Sequence, residues 1–66
     1  MKYMITLDES AGEYFHELED GSFRSALTPA LATIFNTRQD AIAKVLSYNL
    51  KFVYPYVAIQ FAQEVE

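Results

Sequence analysis

Asn36-Thr37-Arg38-Gln39-Asp40-Ala41-Ile42-Ala43-Lys44-Val45-Leu46-Ser47-Tyr48-Asn49 is the stretch whose reading decides the fold. Its apolar residues, Ala41, Ile42, Val45, Leu46 and Tyr48, recur at helical spacing. Thr37 is suited to cap such a helix, because its hydroxyl can accept an otherwise unpaired N–H of the first turn. Lys44 lies in the C-terminal half, where a cation suits the helix dipole. Asn49 can end the helix in the left-handed conformation. Upstream, Thr28-Pro29 offers a competing start, with Thr as cap and Pro at the first helical position. The favoured reading is a single turn after Thr28, a break near Asn36 and a main helix from Thr37. One continuous helix from Pro29 to Tyr48 is the alternative.

On the N-terminal side, Lys2 to Asp8 alternates, with Tyr3, Ile5 and Leu7 on one face, which predicts a half-buried strand. Glu9-Ser10-Ala11-Gly12 supplies turn chemistry, and Glu13 to Leu18 reads as a second strand. Glu19-Asp20-Gly21-Ser22 is the strongest turn signal of the chain. Phe23 to Leu27 is a short third strand or an extended connection. On the C-terminal side, Phe52 to Glu66 reads as a closing strand, with Val57, Ile59, Phe61 and Val65 sharing one face. Pro55 restricts where its pairing begins, since it has no N–H to give to a ladder.

These elements predict a single α+β domain over residues 1–66, a small antiparallel sheet of three or four strands with one main helix packed on one face. A right-handed crossover from the second strand to the last would leave the first strand between them. Ile42, Val45 and Leu46 are expected to cover one sheet face. The other face is expected to be open, with Phe52 and the tyrosines on it or at its rim.

A chain of 66 residues buries only about 60% of the surface its unfolded form exposes. The sequence has no cysteine, so disulfides and thiolate zinc sites are excluded as a remedy. A dense core or association with another chain remains, and with 52% hydrophobic residues either can be supplied. A homodimer or higher homo-oligomer is therefore expected. No apolar run approaches the roughly 18 residues of a membrane span, and acidic residues follow the N-terminus too soon for a signal peptide. The expected location is the cytoplasm.

The net charge of −4 is unevenly spread. The first twenty residues carry Asp8, Glu9, Glu13, Glu17, Glu19 and Asp20 against Lys2 alone; residues 21–51 carry Arg24, Arg38, Lys44 and Lys51 against Asp40. Phosphate backbones reward clustered positive charge, so nucleic acid is not the expected ligand. An acidic face suits a basic partner protein, or serves simply as a solvated surface.

Chemistry finds little purchase. His16 is the only histidine, and its neighbour Glu17 points to the opposite face of a strand. The serines at 10, 22, 25 and 47 show no nucleophile spacing. Asp8-x-Ser10-x-Gly12 with Glu19 echoes a calcium loop, but Glu13 occupies the position where the sharp turn requires glycine. Gly12 and Gly21 are too far apart for a phosphate loop. No enzyme activity, metal or cofactor is expected. Phe52-Val53-Tyr54-Pro55-Tyr56 reads either as a docking surface or as rings that cover the helix end.

Ala32-Thr33-Ile34-Phe35-Asn36-Thr37-Arg38-Gln39-Asp40-Ala41 resembles a segment of small bacteriophage accessory proteins, of the form A-x-x-F-x-T-x-x-[DE]-A. Those proteins run strand, strand, this segment, helix, strand. Ala32, Phe35, Thr37, Asp40 and Ala41 match, and the resemblance spans about residues 28–65. It brings no active site with it. It implies a small accessory protein of a phage or mobile element, acting in the host cell by binding a host protein. Inhibition of a defence nuclease, such as a CRISPR effector, is one such role. The residues expected to touch a partner are Glu13, Glu17, Glu19 and Asp20 for an acidic contact, and Tyr54 and Tyr56 for an aromatic one. A self-associating scaffold subunit and a nucleic-acid-binding regulator are the alternatives.

Overall fold

The alternating N-terminal stretch forms strand β1 (Tyr3–Asp8), and a turn through Gly12 leads into β2 (Glu13–Glu17). A second turn through Gly21 leads into β3 (Phe23–Ala26), so the uncertain third segment is a strand. Both glycines have positive φ, 68° and 87°, which is why these turns close tightly. A 3₁₀ turn over Pro29–Leu31 follows, then helix α1 (Arg38–Ser47), a single-turn helix α2 (Leu50–Val53) and strand β4 (Ala58–Phe61). The computed structural model describes residues 1–62. The expected continuation of the closing strand to Glu66, with the facing of Val65, lies outside the described residues.

The strands form one antiparallel sheet in the order β3-β2-β1-β4, with the first strand between the second and the last. The local end signals act as their chemistry demands. Thr28 Oγ1 accepts the Ala30 N–H at 3.3 Å, and Thr37 Oγ1 accepts the Asp40 N–H at 3.1 Å. Asn49 takes the left-handed conformation, with φ 52°, and separates α1 from α2. The chain from Pro29 to Tyr48 is thus a turn plus a helix, not one helix. The last strand begins at Ala58 rather than near Phe52. Phe52 is taken up in α2, and the Pro55–Tyr56 turn stands between, closed by the Val57 N–H on the Tyr54 carbonyl.

β1 and β2 pair only near their turn, at Thr6 with Tyr14 and Asp8 with Glu13, with a shift of register between. Beyond Thr6 they part, and the connection after the 3₁₀ turn fills the gap. Phe35 and Tyr3 exchange both backbone hydrogen bonds, at 2.8 and 2.9 Å. On the other side of the gap, the Thr33 N–H donates to the Phe15 carbonyl at 2.9 Å, and Thr33 Oγ1 accepts the Glu17 N–H at 2.8 Å. The extended stretch Thr33–Phe35 therefore satisfies donors and acceptors that separated strands would leave orphaned.

The main core lies between the sheet and the helices. Ile5, Leu7, Phe15, Phe35, Ala41 and Leu50 are buried there. Phe15 sits at its centre, with ring centroids of Phe23, Tyr48 and Phe35 at 5.3, 5.5 and 6.4 Å. Helix α1 faces this core with Ala41, Val45 and Tyr48, an i, i+4, i+7 stripe. This corrects the expected covering face: Ile42 and Leu46 are exposed, the latter by 69%. Ala41 lets the helix approach closely, and polar bonds described below set its rotation.

The second sheet face is not open either. Met4, Thr6 and Ala26 are buried on it. His16 shares that face, and its Nδ1 donates to the Leu31 carbonyl at 2.6 Å, which holds the 3₁₀ turn against it. The tyrosines divide. Tyr3, Tyr48 and Tyr54 pack on the core, Tyr14 is half-buried, and Tyr56 alone is exposed.

Thr6 Oγ1 is fully buried and has no partner among the described residues. An unpaired buried hydroxyl costs about 1–3 kcal/mol, so Thr6→Val is expected to raise stability by about 1 kcal/mol in urea unfolding. Phe35→Ala should cost about 3–5 kcal/mol and abolish the cooperative transition of so small a domain.

Candidate functional site

Glu17 lies on the core-side face of β2 with Phe15, directed at helix α1. Its Oε2 accepts Lys44 Nζ at 2.6 Å and the Tyr48 hydroxyl at 2.9 Å. The same hydroxyl stands against the Gly21 carbonyl, so one phenolic proton serves two acceptors. The ammonium lies 5.8 Å from the Tyr48 ring centroid. Lys44, and next Tyr48, hold the Glu17 carboxyl below its ordinary value of 4.5. The bond to Glu17 in turn raises Lys44 above 10.5 and Tyr48 above 10.0. The three groups are engaged with one another at a partly exposed site.

The other carboxylates read from the sequence take separate positions. Glu13, at the start of β2, accepts the Ser25 hydroxyl at 2.8 Å. Asp20, in the turn at the far end, accepts the Ser22 hydroxyl and N–H at 2.6 and 2.9 Å, and these bonds lower its pKa. Glu19 is exposed beside it. Strand β2 and its rise of about 3.4 Å per residue separate Glu13 from the other two. Tyr54 packs against Phe23, ring centroids 6.4 Å apart, and is not a free contact residue.

Tyr56 is 75% exposed and belongs to a different grouping. It shares an open depression of about 560 Å³ with Asp8, Glu9 and Ser10. The β1–β4 ladder ends at Thr6 and Ala58, and the turns that continue each strand, with Asp8 and Glu9 on one side and Tyr56 on the other, border the same depression. Asp8 Oδ1 accepts Ser10 Oγ at 2.8 Å and the Ser10 N–H at 3.1 Å. Glu9 Oε2 accepts Gln60 Nε2 at 3.0 Å. Two carboxylates are thereby fixed beside one exposed ring. Asp8 and Glu9 were not among the expected contact residues; their sequence signal, two acids in a turn, is common to most surface turns.

A second concavity, of about 420 Å³, lies between the helices and β4. Ile42, Leu46, Val57 and Ile59 line it, with Arg38 and Lys51. Nearby in sequence, Phe52 is 93% exposed. No group of three or more metal-ligating side chains occurs among the described residues, and no helix among them is long and apolar enough to cross a membrane.

Comparison with known proteins gave no matching family, no matching curated protein and no matching solved structure.

The Glu17 contact has two pH limits. Its depressed pKa adds stability above about pH 4.5 that is lost as pH falls through the folded value; the raised pKa values of Lys44 and Tyr48 add stability below about pH 10 that is lost as pH rises. In Glu17→Gln the loss of stability between about pH 5 and pH 3 should be shallower than in the parent chain. Urea midpoints across that range measure it.

Proposed function

We propose that this chain is a non-catalytic, phage-type accessory domain that binds a basic surface of a host protein. The depression formed by Asp8, Glu9 and Tyr56 is the observation that carries this reading. A cationic side chain entering it meets the face of an exposed ring and two carboxylates at once. Cation–π and charge-assisted contacts then reinforce each other, and arginine exploits both best. The carboxylates are already oriented by Ser10 and Gln60, so little side-chain freedom is lost on binding. The net charge of −4 steers the encounter with a basic partner.

The resemblance of the Ala32–Ala41 segment to small phage proteins supplies the biological setting. Surfaces that hold nucleic acid are basic, so a defence nuclease, such as a CRISPR effector, is the class of host protein this patch would occlude. Binding there would exclude the nucleic acid by competition for the same cations.

The patch can be tested by capture of host-lysate proteins on the immobilised chain, followed by binding kinetics with the captured protein. Asp8→Asn/Glu9→Lys keeps the turn acceptor and removes the acidic field. It should slow association and flatten its salt dependence, whereas Tyr56→Ala should cost about 2 kcal/mol through faster dissociation. Equal binding by the parent and both variants would remove the patch from the reading. Retention of the chain on heparin, with a steeply salt-dependent shift of DNA, would replace it with the nucleic-acid reading.

A further inference from the structure

We propose that a second copy of this chain docks on the free edge of β4, antiparallel and on a two-fold axis through Ile59. This goes beyond the binding reading above and uses a different surface. β4 pairs with β1 on one side, and no strand of the described residues pairs with its other side. The Ala62 N–H donates to the Lys2 carbonyl at 2.9 Å, so residue 62 directs its backbone groups inward. Alternation along the strand turns Gln60 and Ala58 inward as well. The N–H and C=O of Ile59 and Phe61 therefore point away from the sheet, ready to pair.

Exposed edges are normally guarded by charge, proline or a bulge. Ala58-Ile59-Gln60-Phe61 contains no charged residue or proline, and its register with β1 is regular over all four residues. It is an uncharged edge on a chain of net charge −4.

Symmetry limits the ways it can be used. In an antiparallel pair, residues directly opposite each other point to the same face, so a two-fold axis must pass through a residue rather than between two. Centred on Gln60, the pairing sets Ile59 against Phe61 of the second copy, and Val57 meets none of the described residues. Centred on Ile59, it sets Ile59 against Ile59 and Val57 against Phe61 twice over. Three apolar pairs then form on the helix side, and Ala58 meets Gln60 on the other. The second register also gives the groove an occupant. Phe61 is 60% exposed on the helix side, and from the second copy it stands opposite Val57, on the wall shared with Ile42, Leu46 and Ile59. Each copy supplies both the knob and the hole. A heterologous strand could use the same edge, but every solution of this chain already contains a matching one.

The two copies are both acidic and the strand contact between them is apolar, although Arg38 and Lys51 also line the groove. Dimerisation should therefore tighten as salt rises, opposite to the binding of a basic partner by Asp8 and Glu9. This keeps the two readings distinguishable.

Light scattering over a range of concentrations and two salt levels is the first measurement, and a monomer–dimer equilibrium that strengthens with salt is the expected result. Phe61→Lys places a gatekeeping charge on the edge and should weaken dimerisation by about tenfold or more, with the circular dichroism of the monomer unchanged. The absence of native cysteine allows a register test. Ile59→Cys should form a disulfide-linked dimer under mild oxidation, whereas Phe61→Cys, whose symmetric mate lies four residues along the ladder, should not. A chain that stays monomeric at every concentration, or a dimer indifferent to Phe61→Lys, overturns the proposal, as does cross-linking of Phe61→Cys alone. Should Ile59→Cys fail to fold, the parent chain and Phe61→Lys still decide it.

Discussion

The gap between β1 and β2 is the constraint on which the rest of the molecule depends. Two strands that pair at one end and separate at the other leave backbone groups without partners, and in a buried strand those groups must be satisfied. Thr33 and Phe35 do this from opposite sides of one extended stretch, with Phe35 bonded to Tyr3 and Thr33 to Phe15 and Glu17. The same insertion delivers the Phe35 ring to Phe15 and sets Thr37 where it can begin α1. The position of the helix over the sheet is thus a consequence of how the sheet is completed.

Rotation of that helix is fixed separately. Lys44 and Tyr48 both bond Glu17 on β2, so the side of α1 that carries them turns toward β2 and the Gly21 turn. Ala41 and Val45 follow into the core, and Ile42 and Leu46 are carried sideways toward β4. A partly exposed ion pair of this kind adds little to stability in water. Its geometry matches the rotation in which Ala41 and Val45 are turned to the core and Ile42 and Leu46 face outward.

The features legible in the sequence are those set by neighbours along the chain. Thr28 and Thr37 cap, Asn49 reverses the helix, Asp20-Gly21 turns, and the alternation of Tyr3, Ile5 and Leu7 gives a central strand. The helix face was not legible, since period alone cannot choose between the Ala41 and the Ile42 stripes, and Glu17, which bonds Lys44 and Tyr48, is distant in sequence. Nor was the filling of the sheet gap, because Thr33 and Phe35 bond to strands far from them in sequence. Likewise the turn bearing Asp8 and Glu9 comes near Tyr56 only because β1 and β4, distant in sequence, are neighbours in the sheet. The carboxylates of residues 13–20 look like one cluster in sequence, but a strand and two turns distribute them.

The inserted stretch also orders events during synthesis. When the first three strands have left the ribosome, β1 can pair with β2 only around Thr6 and Asp8. Tyr3, Met4 and Ile5 have no neighbour on either side until the chain has been made through Phe35 and then through Phe61. The first strand is therefore among the last to be enclosed, and it is apolar. Long-range pairings of this kind slow folding and prolong the exposure of sticky strands. Between the making of β1 and the making of β4 that segment stays exposed, and in that interval a chaperone or a neighbouring copy can reach it.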